Sequence, residues 1–234
     1  MIAARQVKDG TRPMFTYQFR WDVIPSNVGF ILSGMNMTLF LSAVTLALAL
    51  LGGLLIALMN LSRFAPVRWL AMGFGEIIRN TPILVQLLWV YYVLPIVFDI
   101  RIDAITACII GLSIYSSAFI AEVYRAGIQA VPQGQREAAQ VLGMSPFDTF
   151  RRIVLPQAIR LILPPLCGQF VLLIKYSSLA AVISVGEVTR KGMELSSSTF
   201  RPLEIFTFIA VLYFAICWPL TMAIHAWERR LSAR

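Results

Sequence analysis

Long apolar stretches are the feature of this sequence that most restricts its fold. Residues 29–61 contain no Asp, Glu, Lys or Arg, and about 20 apolar residues are enough for a helix to cross the hydrocarbon core of a bilayer. Further apolar stretches follow at 69–98, 104–124, 159–185 and 203–227. The sequence therefore predicts an all-α, polytopic membrane protein with about five transmembrane helices.

The composition agrees with a chain that lies mostly in a membrane. It is 58% hydrophobic and 14% charged, whereas soluble domains are typically about 45–50% apolar and about 25% charged. The net charge of +8 could suggest a nucleic-acid partner. Because the basic residues cluster in short loops beside the apolar stretches, as the positive-inside rule expects, we expect the lipid bilayer and no nucleic acid.

The second apolar stretch is too long to be one straight span. A continuous helix over 69–98 would be about 45 Å long, against a hydrocarbon core of about 30 Å. Thr81 followed by Pro82 is a start signal for a new helix, with Thr81 as N-cap and Pro82 at the first helical position. We expect an interrupted span here, and such breaks are tolerated where they line a cavity or are buried in protein.

A polar segment, Glu137–Pro156, separates the third and fourth apolar stretches. A helical run starts at Glu137 and Gly143 stops it, since glycine readily adopts the left-handed conformation of a C-cap. Ser145 and Pro146 then start a second helix as N-cap and first helical residue. An apolar stripe follows at Phe147, Phe150, Ile153 and Val154. The pattern predicts two short helices joined by a glycine turn.

These motifs resemble one family. Glu137-Ala138-Ala139 with Gly143 and Leu155-Pro156 is similar to the "EAA" loop of permease subunits of ABC importers. Segments typical of the polar amino-acid branch of that family are Arg79–Gln86, Glu122–Ile128 and Lys175–Leu179. The resemblance extends over about residues 29 to 230.

The resemblance implies that a separate ATPase subunit docks on the polar loop. Its implied docking residues are Glu137, Ala138, Ala139, Leu142 and Gly143. Small alanines would allow close approach, and Glu137 would offer a charged contact or an interaction with a helix N-terminus. The alternative is an interfacial helix that only connects the third and fourth spans.

The chain itself has no GxxxxGK[ST] phosphate-binding motif. If transport is driven by ATP, ATP must bind elsewhere, so we expect a non-catalytic translocation subunit that binds no cofactor, with ATP and Mg²⁺ on the partner ATPase. Five spans are few to enclose a pathway, which suggests a second permease subunit, either the same chain or a paralogue. The resemblance also implies a periplasmic amino-acid-binding protein.

Polar residues inside the apolar stretches are candidates for the substrate pathway, because a charge at the bilayer centre costs about 2.5–3.5 kcal/mol on insertion scales and usually faces a cavity or a partner. Arg79, Thr81 and Gln86 could border the pathway and meet the substrate carboxylate at the start of the second half-helix. The alternative is that Glu76 pairs with Arg79 as a structural lock.

Three further candidates lie on later spans. Glu122 could meet a substrate ammonium group, or it could pair with Arg125 one turn away. Lys175, followed by Ser178, lies in the middle of a span, where snorkelling cannot easily bring its charge to water. A cavity or an acidic partner is expected for Lys175.

Charge asymmetry predicts the topology. Placing the loops at 62–68 and 125–160 and the C-terminus in the cytoplasm puts ten arginines inside and four basic residues in the external loops. Four more basic residues in the N-terminal tail weaken this asymmetry, but the rule still favours an external N-terminus and a cytoplasmic C-terminus.

The predicted division of the chain has three parts. Residues 1–27 form a periplasmic or interfacial segment, 28–230 form the transmembrane permease domain with its cytoplasmic coupling loop at 126–158, and 231–234 form a cytoplasmic tail. The predicted function is a permease subunit of an ATP-driven ABC importer that moves a polar L-amino acid across the inner membrane. Alternatives are a subunit of an ion-gradient-driven secondary transporter, a membrane-embedded enzyme, and an assembly factor or receptor.

Overall fold

The structure is a computed structural model that describes residues 17–232, with side chains described for 17–230. Within these residues all regular structure is helical. The helices are α1 (Val23–Leu32), α2 (Met35–Asn60), α3 (Ala65–Arg79), α4 (Ile83–Phe98), α5 (Ala104–Gln129), α6 (Gln133–Val141), α7 (Pro146–Ile183), α8 (Val188–Thr199) and α9 (Pro202–Ser232). The all-α prediction is confirmed.

The predicted number of spans agrees with the structure. Four segments are long and apolar enough to cross a membrane, and α3 and α4 add a fifth if the bent pair is one span. The first span starts earlier than expected, since Val23–Asn60 forms one segment in which Ser33 and Gly34 separate α1 from α2. The third span also continues to Gln129, so the polar segment that precedes α7 is shorter than predicted.

The interrupted second span is confirmed, although its break differs from the prediction. The axes of α3 and α4 meet at 104°. Pro82 occupies the N-cap position of α4, and the Thr81 hydroxyl donates a hydrogen bond back to the carbonyl of Ile77 over 2.8 Å. Thr81 therefore does not cap the second half-helix, because its hydroxyl already bonds within the last turn of the first.

The second helix of the polar loop is not a separate element. It is the first part of α7, which continues as one helical segment into the fourth span. A π-helical turn over Phe150–Val154 precedes Pro156, and α7 ends in a 3₁₀ segment over Ser177–Ile183. A π turn inserts an extra residue into a helix without ending it, so the predicted pair of short helices is wrong on this point.

Helix α8 was not predicted, because the segment between the fourth and fifth spans is polar and has no Ser, Thr, Asp or Asn at its N-cap. Its N-cap is Glu187, whose carboxylate accepts hydrogen bonds from the backbone N–H groups of Thr189 and Arg190 over 2.9 and 2.7 Å. The Tyr213 hydroxyl on α9 donates to the same carboxylate over 2.9 Å. The Glu187 side chain is completely buried.

The turn around Glu187 is also the place where the first span meets α8. Gly34 packs so closely that a Cβ atom there would lie 2.6 Å from the backbone carbon of Glu187. The N–H of Val188 donates to the Thr38 hydroxyl of α2 over 3.3 Å. Only glycine at position 34 allows this approach, so Gly34 fixes where α2 begins.

Small side chains line the packed face of α2 against α5. Among the buried residues of α2 are Thr38, Ser42, Thr45, Ala49 and Gly53, which recur nearly every turn. Small residues of α5 are buried as well, namely Gly111, Ser113, Ser116, Ser117 and Ala118. Small residues let membrane helices approach closely, so this pair forms the compact centre of the bundle.

The N-terminal segment folds back on the last span. The carboxylate of Glu204, at the start of α9, is buried and accepts hydrogen bonds from the Tyr17 hydroxyl and, over 2.8 Å, from the Arg20 backbone N–H. Arg201 donates to the carbonyl of Gln18 over 2.6 Å. Residues 1–16 of the predicted N-terminal segment and residues 233–234 of the predicted tail lie outside the described residues.

Burial raises the pKa of the Glu187 carboxyl above its usual value, because desolvation outweighs the hydrogen bonds that the carboxylate accepts. The folded state therefore holds this proton to higher pH than the unfolded state. We expect the free energy of unfolding of the wild type, relative to Glu187→Gln, to fall as pH rises from about 4.3, the usual value for Glu, and to level off above the raised pKa. Chemical unfolding of both chains in detergent across this range measures the difference.

The matched control is Glu194→Gln on the same helix, where the carboxylate is 41% exposed and pairs with Arg190 and Lys191. This variant controls for the loss of one carboxylate from α8. A wild-type curve that runs parallel to the Glu187→Gln curve would contradict the assignment.

Candidate functional site

The polar loop is built from α6, a glycine turn and the first turns of α7. Helix α6 starts at Gln133, four residues before the predicted start at Glu137. Gly143 adopts a φ of +72°, and Met144 donates its N–H to the carbonyl of Ala139 over 3.0 Å. The predicted glycine stop is confirmed, and so is the Ser145 cap, whose hydroxyl accepts the N–H of Asp148 over 3.1 Å.

Four of the five predicted docking residues are exposed, namely Glu137, Ala138, Leu142 and Gly143. Ala139 is 1% exposed and faces the interior of the chain. Leu142 is 78% exposed and its neighbour Val141 is 88% exposed. The tip of the loop therefore presents two large apolar side chains with no covering group among the described residues.

The predicted apolar stripe does not form one buried face. Phe147 is 69% exposed and Phe150 is 39% exposed, whereas Val154 is buried. The π turn shifts the helix register between Phe150 and Val154, so the spacing in the sequence does not correspond to one side of a regular α-helix. Phe147 is thus a third large apolar side chain that the loop exposes.

The base of the loop is attached firmly to two spans. Arg136 of α6 donates to the carbonyl of Ile128 near the end of α5 over 2.9 Å. Beneath it lies a buried apolar cluster of Val131, Val154, Ala158 and Ile162. Because side chains from both α5 and α7 surround this cluster, a force on the loop acts on the third and fourth spans together.

At the break between α3 and α4, Gln86 satisfies backbone groups that the bend leaves free. Its side-chain amide donates to the carbonyls of Ile78 and Thr81 over 2.7 and 3.0 Å. Thr81 and Gln86 also line a cavity of about 300 Å³, together with Trp89 and other largely apolar residues. The sequence predicted that a break at this position would line a cavity or be buried in protein, and the structure has a cavity there.

Arg79 and Glu122 lie in one chain of charges that links α3 to α5. Arg79 is 2.5 Å from Glu76 and its second terminal nitrogen is 3.9 Å from Glu122. Arg125 is 2.9 Å from Glu122 through its Nε, and it also donates to Gln129 over 2.6 Å. Both pairings that the sequence offered as alternatives to substrate contact are therefore present in this structure.

Lys175 has a different environment, on the face of α7 that is turned toward α9. It lines two adjoining grooves of about 370 and 280 Å³, in which Gln169, Thr221 and His225 are among the polar neighbours. The carboxylate-bearing residue Glu228 lines the larger of these grooves as well. The hydroxyl of Ser178 donates to the Lys175 carbonyl over 2.6 Å, so this hydroxyl's hydrogen is used within the helix.

The structure separates the predicted pathway residues into two groups. Arg79, Thr81, Gln86 and Glu122 lie around the break and the adjoining part of α5, whereas Lys175 and Ser178 lie on α7 against α9. Sequence reasoning missed Gln169 and Thr221, which line the same groove as Lys175. Helical spacing gave no signal for either residue, because six residues separate Gln169 from Lys175, which leaves them about 120° apart around an α-helix, and Thr221 lies on another span.

Five apolar spans, one of them sharply broken, and an anchored polar loop with an exposed apolar tip define a membrane-embedded transport subunit. The sequence matches over residues 49–233 the family described as binding-protein-dependent transport system inner membrane component. The match covers most of the chain, which therefore belongs to this family. This membership favours the ATP-driven class of importer over the ion-gradient alternative.

Several characterised relatives align over nearly their whole length. The chain is 40% identical over 222 residues to the glutamine transport system permease protein GlnP of Escherichia coli K12, covering 92% of this chain and 99% of that protein. It is 36% identical over 214 residues to the L-cystine transport system permease protein TcyB of Bacillus subtilis 168, covering 91% of each.

Solved structures show the same fold. One from an amino acid ABC transporter crystallised with histidines is 38% identical, with a TM-score of 0.88 over 92% of this chain and 100% of that one. A chain of the MetNI methionine ABC transporter in an inward-facing conformation is 19% identical, with a TM-score of 0.73 over 88% of this chain and 98% of that one. The similarity to the MetNI chain is evidence for the fold alone.

The glycine turn of the loop provides a direct test of its geometry. Gly143→Ala places a Cβ in the left-handed region, where non-glycine residues are disfavoured by about 1–2 kcal/mol. We expect faster amide exchange over Gln133–Val141 and a lower unfolding temperature, measured by hydrogen exchange and thermal unfolding in detergent.

Gly134→Ala is the matched control, since Gly134 lies in helix α6 and a Cβ at this position would meet no neighbouring atom within 4 Å. Alanine is the better helix former, so this change should leave the loop as stable or more stable. Equal exchange rates in the Gly143→Ala chain and the wild type would show that the turn does not hold the loop.

Proposed function

We propose that this chain is the translocation subunit of an importer for a polar L-amino acid, driven by ATP that a separate ATPase subunit hydrolyses. The observation that carries the proposal is the exposed apolar tip of an otherwise anchored polar loop, formed by Val141, Leu142 and Phe147. Large apolar groups clustered at an exposed site commonly mark a protein interaction surface. Family membership and the names of the relatives support the substrate class.

The ATPase docks on the loop tip, with Leu142 and Val141 as apolar anchors and Glu137 and Ala138 beside them. Ala139 supports this surface from within, because its methyl group packs under the loop. The side chain of Gln133 donates to the Glu137 carboxylate over 2.8 Å, and both residues are exposed. ATP and Mg²⁺ bind to the ATPase subunit and not to this chain.

Docking moves the spans because the loop cannot move alone. Closure of two ATPase subunits would pull on α6, and Arg136 and the cluster around Val154 would carry that displacement to α5 and α7. The pathway then opens alternately to the two sides. A second permease subunit completes it, and a periplasmic binding protein delivers the amino acid. The loop lies on the cytoplasmic side of the inner membrane, with the N-terminus outside and the C-terminus inside.

The groove at Lys175 is the stronger of the two pathway candidates. Its side chain is exposed within a span and lines one groove with the polar side chains of Gln169 and Thr221. A cation in this position can meet the carboxylate that every amino-acid substrate carries. Arg79, Thr81, Gln86 and Glu122 border the second part of the pathway, where the broken span bends against α5.

Leu142→Asp tests the docking surface. Full burial of a leucine side chain contributes about 1.5–3 kcal/mol, so its replacement by a charge should weaken ATPase binding at least tenfold. We expect loss of the ATPase on co-purification and loss of ATP-dependent uptake of labelled glutamine in proteoliposomes, whereas thermal unfolding of the permease itself stays close to that of the wild type.

Phe200→Asn is the matched control. Phe200 is 82% exposed and lies between α8 and α9, at the end of the bundle away from the loop. Its φ is +55°, a conformation that Asn tolerates well. This variant should keep the ATPase and the uptake. If Leu142→Asp also kept both, the loop would not be the docking site.

Lys175→Gln tests the pathway. The change removes a membrane-embedded charge that costs about 2.5–3.5 kcal/mol on insertion scales, so stability should be unchanged or higher. We expect ATP-dependent uptake to fall at least tenfold while the ATPase still co-purifies. Arg190→Gln, which removes a charge on the external helix α8, is the control and should keep uptake. Normal uptake by Lys175→Gln would exclude Lys175 from the pathway.

A further inference from the structure

Another groove lies between α2, α7 and α9, and it adjoins a groove that contains Lys175, since Val171 and Ile224 line both. Its volume is about 520 Å³, within the range of about 300–1,000 Å³ that is typical of small-molecule sites. Every lining side chain is apolar, including Leu50 of α2, Phe170 of α7 and Ile224 of α9. All three helices belong to membrane spans, so this groove lies at the depth of lipid acyl chains.

One end of the groove is marked by an aromatic residue and two arginines. Trp227 lines the groove and is 37% exposed, as is typical of aromatic side chains at a membrane interface. Arg230 follows Trp227 by three residues and Arg160 precedes the groove residue Leu163 by three, so each lies one helical turn beyond the groove on the same side of its helix.

Both arginines lie at the same end of the fold, because α7 leaves the polar loop and α9 returns to that side. Their side chains are exposed, and neither forms an ion pair with a carboxylate of the described residues. Glu228, the nearest acidic residue along α9, lines the adjoining groove that contains Lys175 and lies 3.5 Å from His225. Positive charge therefore predominates at this end of the apolar groove.

We propose that this groove binds one anionic phospholipid, with an acyl chain along Phe170 and Ile224 and the phosphate between Arg160 and Arg230. Basic residues beside a cleft between membrane helices are suited to anionic lipid headgroups. A helix from a second permease copy would also cover the apolar walls, but it would leave the two arginines without a countercharge. The charge at the end of the groove thus favours the lipid.

The experiment uses the full-length chain in nanodiscs that contain equal amounts of phosphatidylglycerol and phosphatidylcholine, with retained lipid counted by native mass spectrometry. The wild type should retain phosphatidylglycerol in preference to phosphatidylcholine. A basic residue near a membrane surface contributes about 1 kcal/mol to anionic-lipid attraction, which corresponds to about fivefold. The preference should therefore fall about fivefold in Arg160→Gln or Arg230→Gln, and further in the double variant.

Arg229→Gln is the matched control, since Arg229 follows Trp227 by two residues and so lies on the opposite side of α9. It should keep the preference. Ala223→Trp fills the groove from α9 and should reduce retention of both lipids; if that chain fails to fold, Cys167→Phe fills the same groove from α7. Equal losses in Arg229→Gln and Arg230→Gln, unchanged retention in the filled groove, or no retained lipid in the wild type would each overturn the proposal.

Discussion

The buried carboxylate of Glu187 connects parts of the chain that are far apart in sequence. It caps α8 through two backbone N–H groups, accepts a hydrogen bond from Tyr213 of α9, and lies in a turn against which Gly34 packs without a side chain. Loss of one of these partners would leave a buried polar group unsatisfied, which costs about 1–3 kcal/mol. The first span, α8 and the last span consequently meet in one arrangement at this end of the bundle.

The opposite end of the bundle combines firm attachment with an exposed surface. There the polar loop is attached to α5 and α7 through Arg136 and the cluster around Val154, yet its tip leaves Val141 and Leu142 uncovered. A loop that is rigidly connected to the spans and has exposed apolar side chains at its tip can bind a partner protein. It can then transmit the partner's motion to the spans. The fixed contacts around Glu187 would then give the moving spans a stable support at the far side of the membrane.

Sequence reasoning found the spans, the break in the second one and the glycine stop at Gly143, because each depends on local chemistry such as apolar length, a Thr-Pro step or a left-handed residue. It misjudged features that depend on distant groups. Gln86 bonds the carbonyls released at the break, and the π turn at Phe150–Val154 merges the loop with the fourth span. Helix α8 was missed because its capping residue, Glu187, is stabilised by Tyr213 from another span.

The sequence by itself determined that the chain is an all-α membrane protein of the importer-permease type, since apolar stretches of this length have few other stable states in a bilayer and the loop motif is specific. Only the tertiary structure decided which polar side chains have hydrogen-bond or ion-pair partners inside the fold. Arg79 and Glu122 share one chain of charges, whereas Lys175 faces open grooves. That difference arises because side chains on separate helices acquire neighbours only when the helices pack.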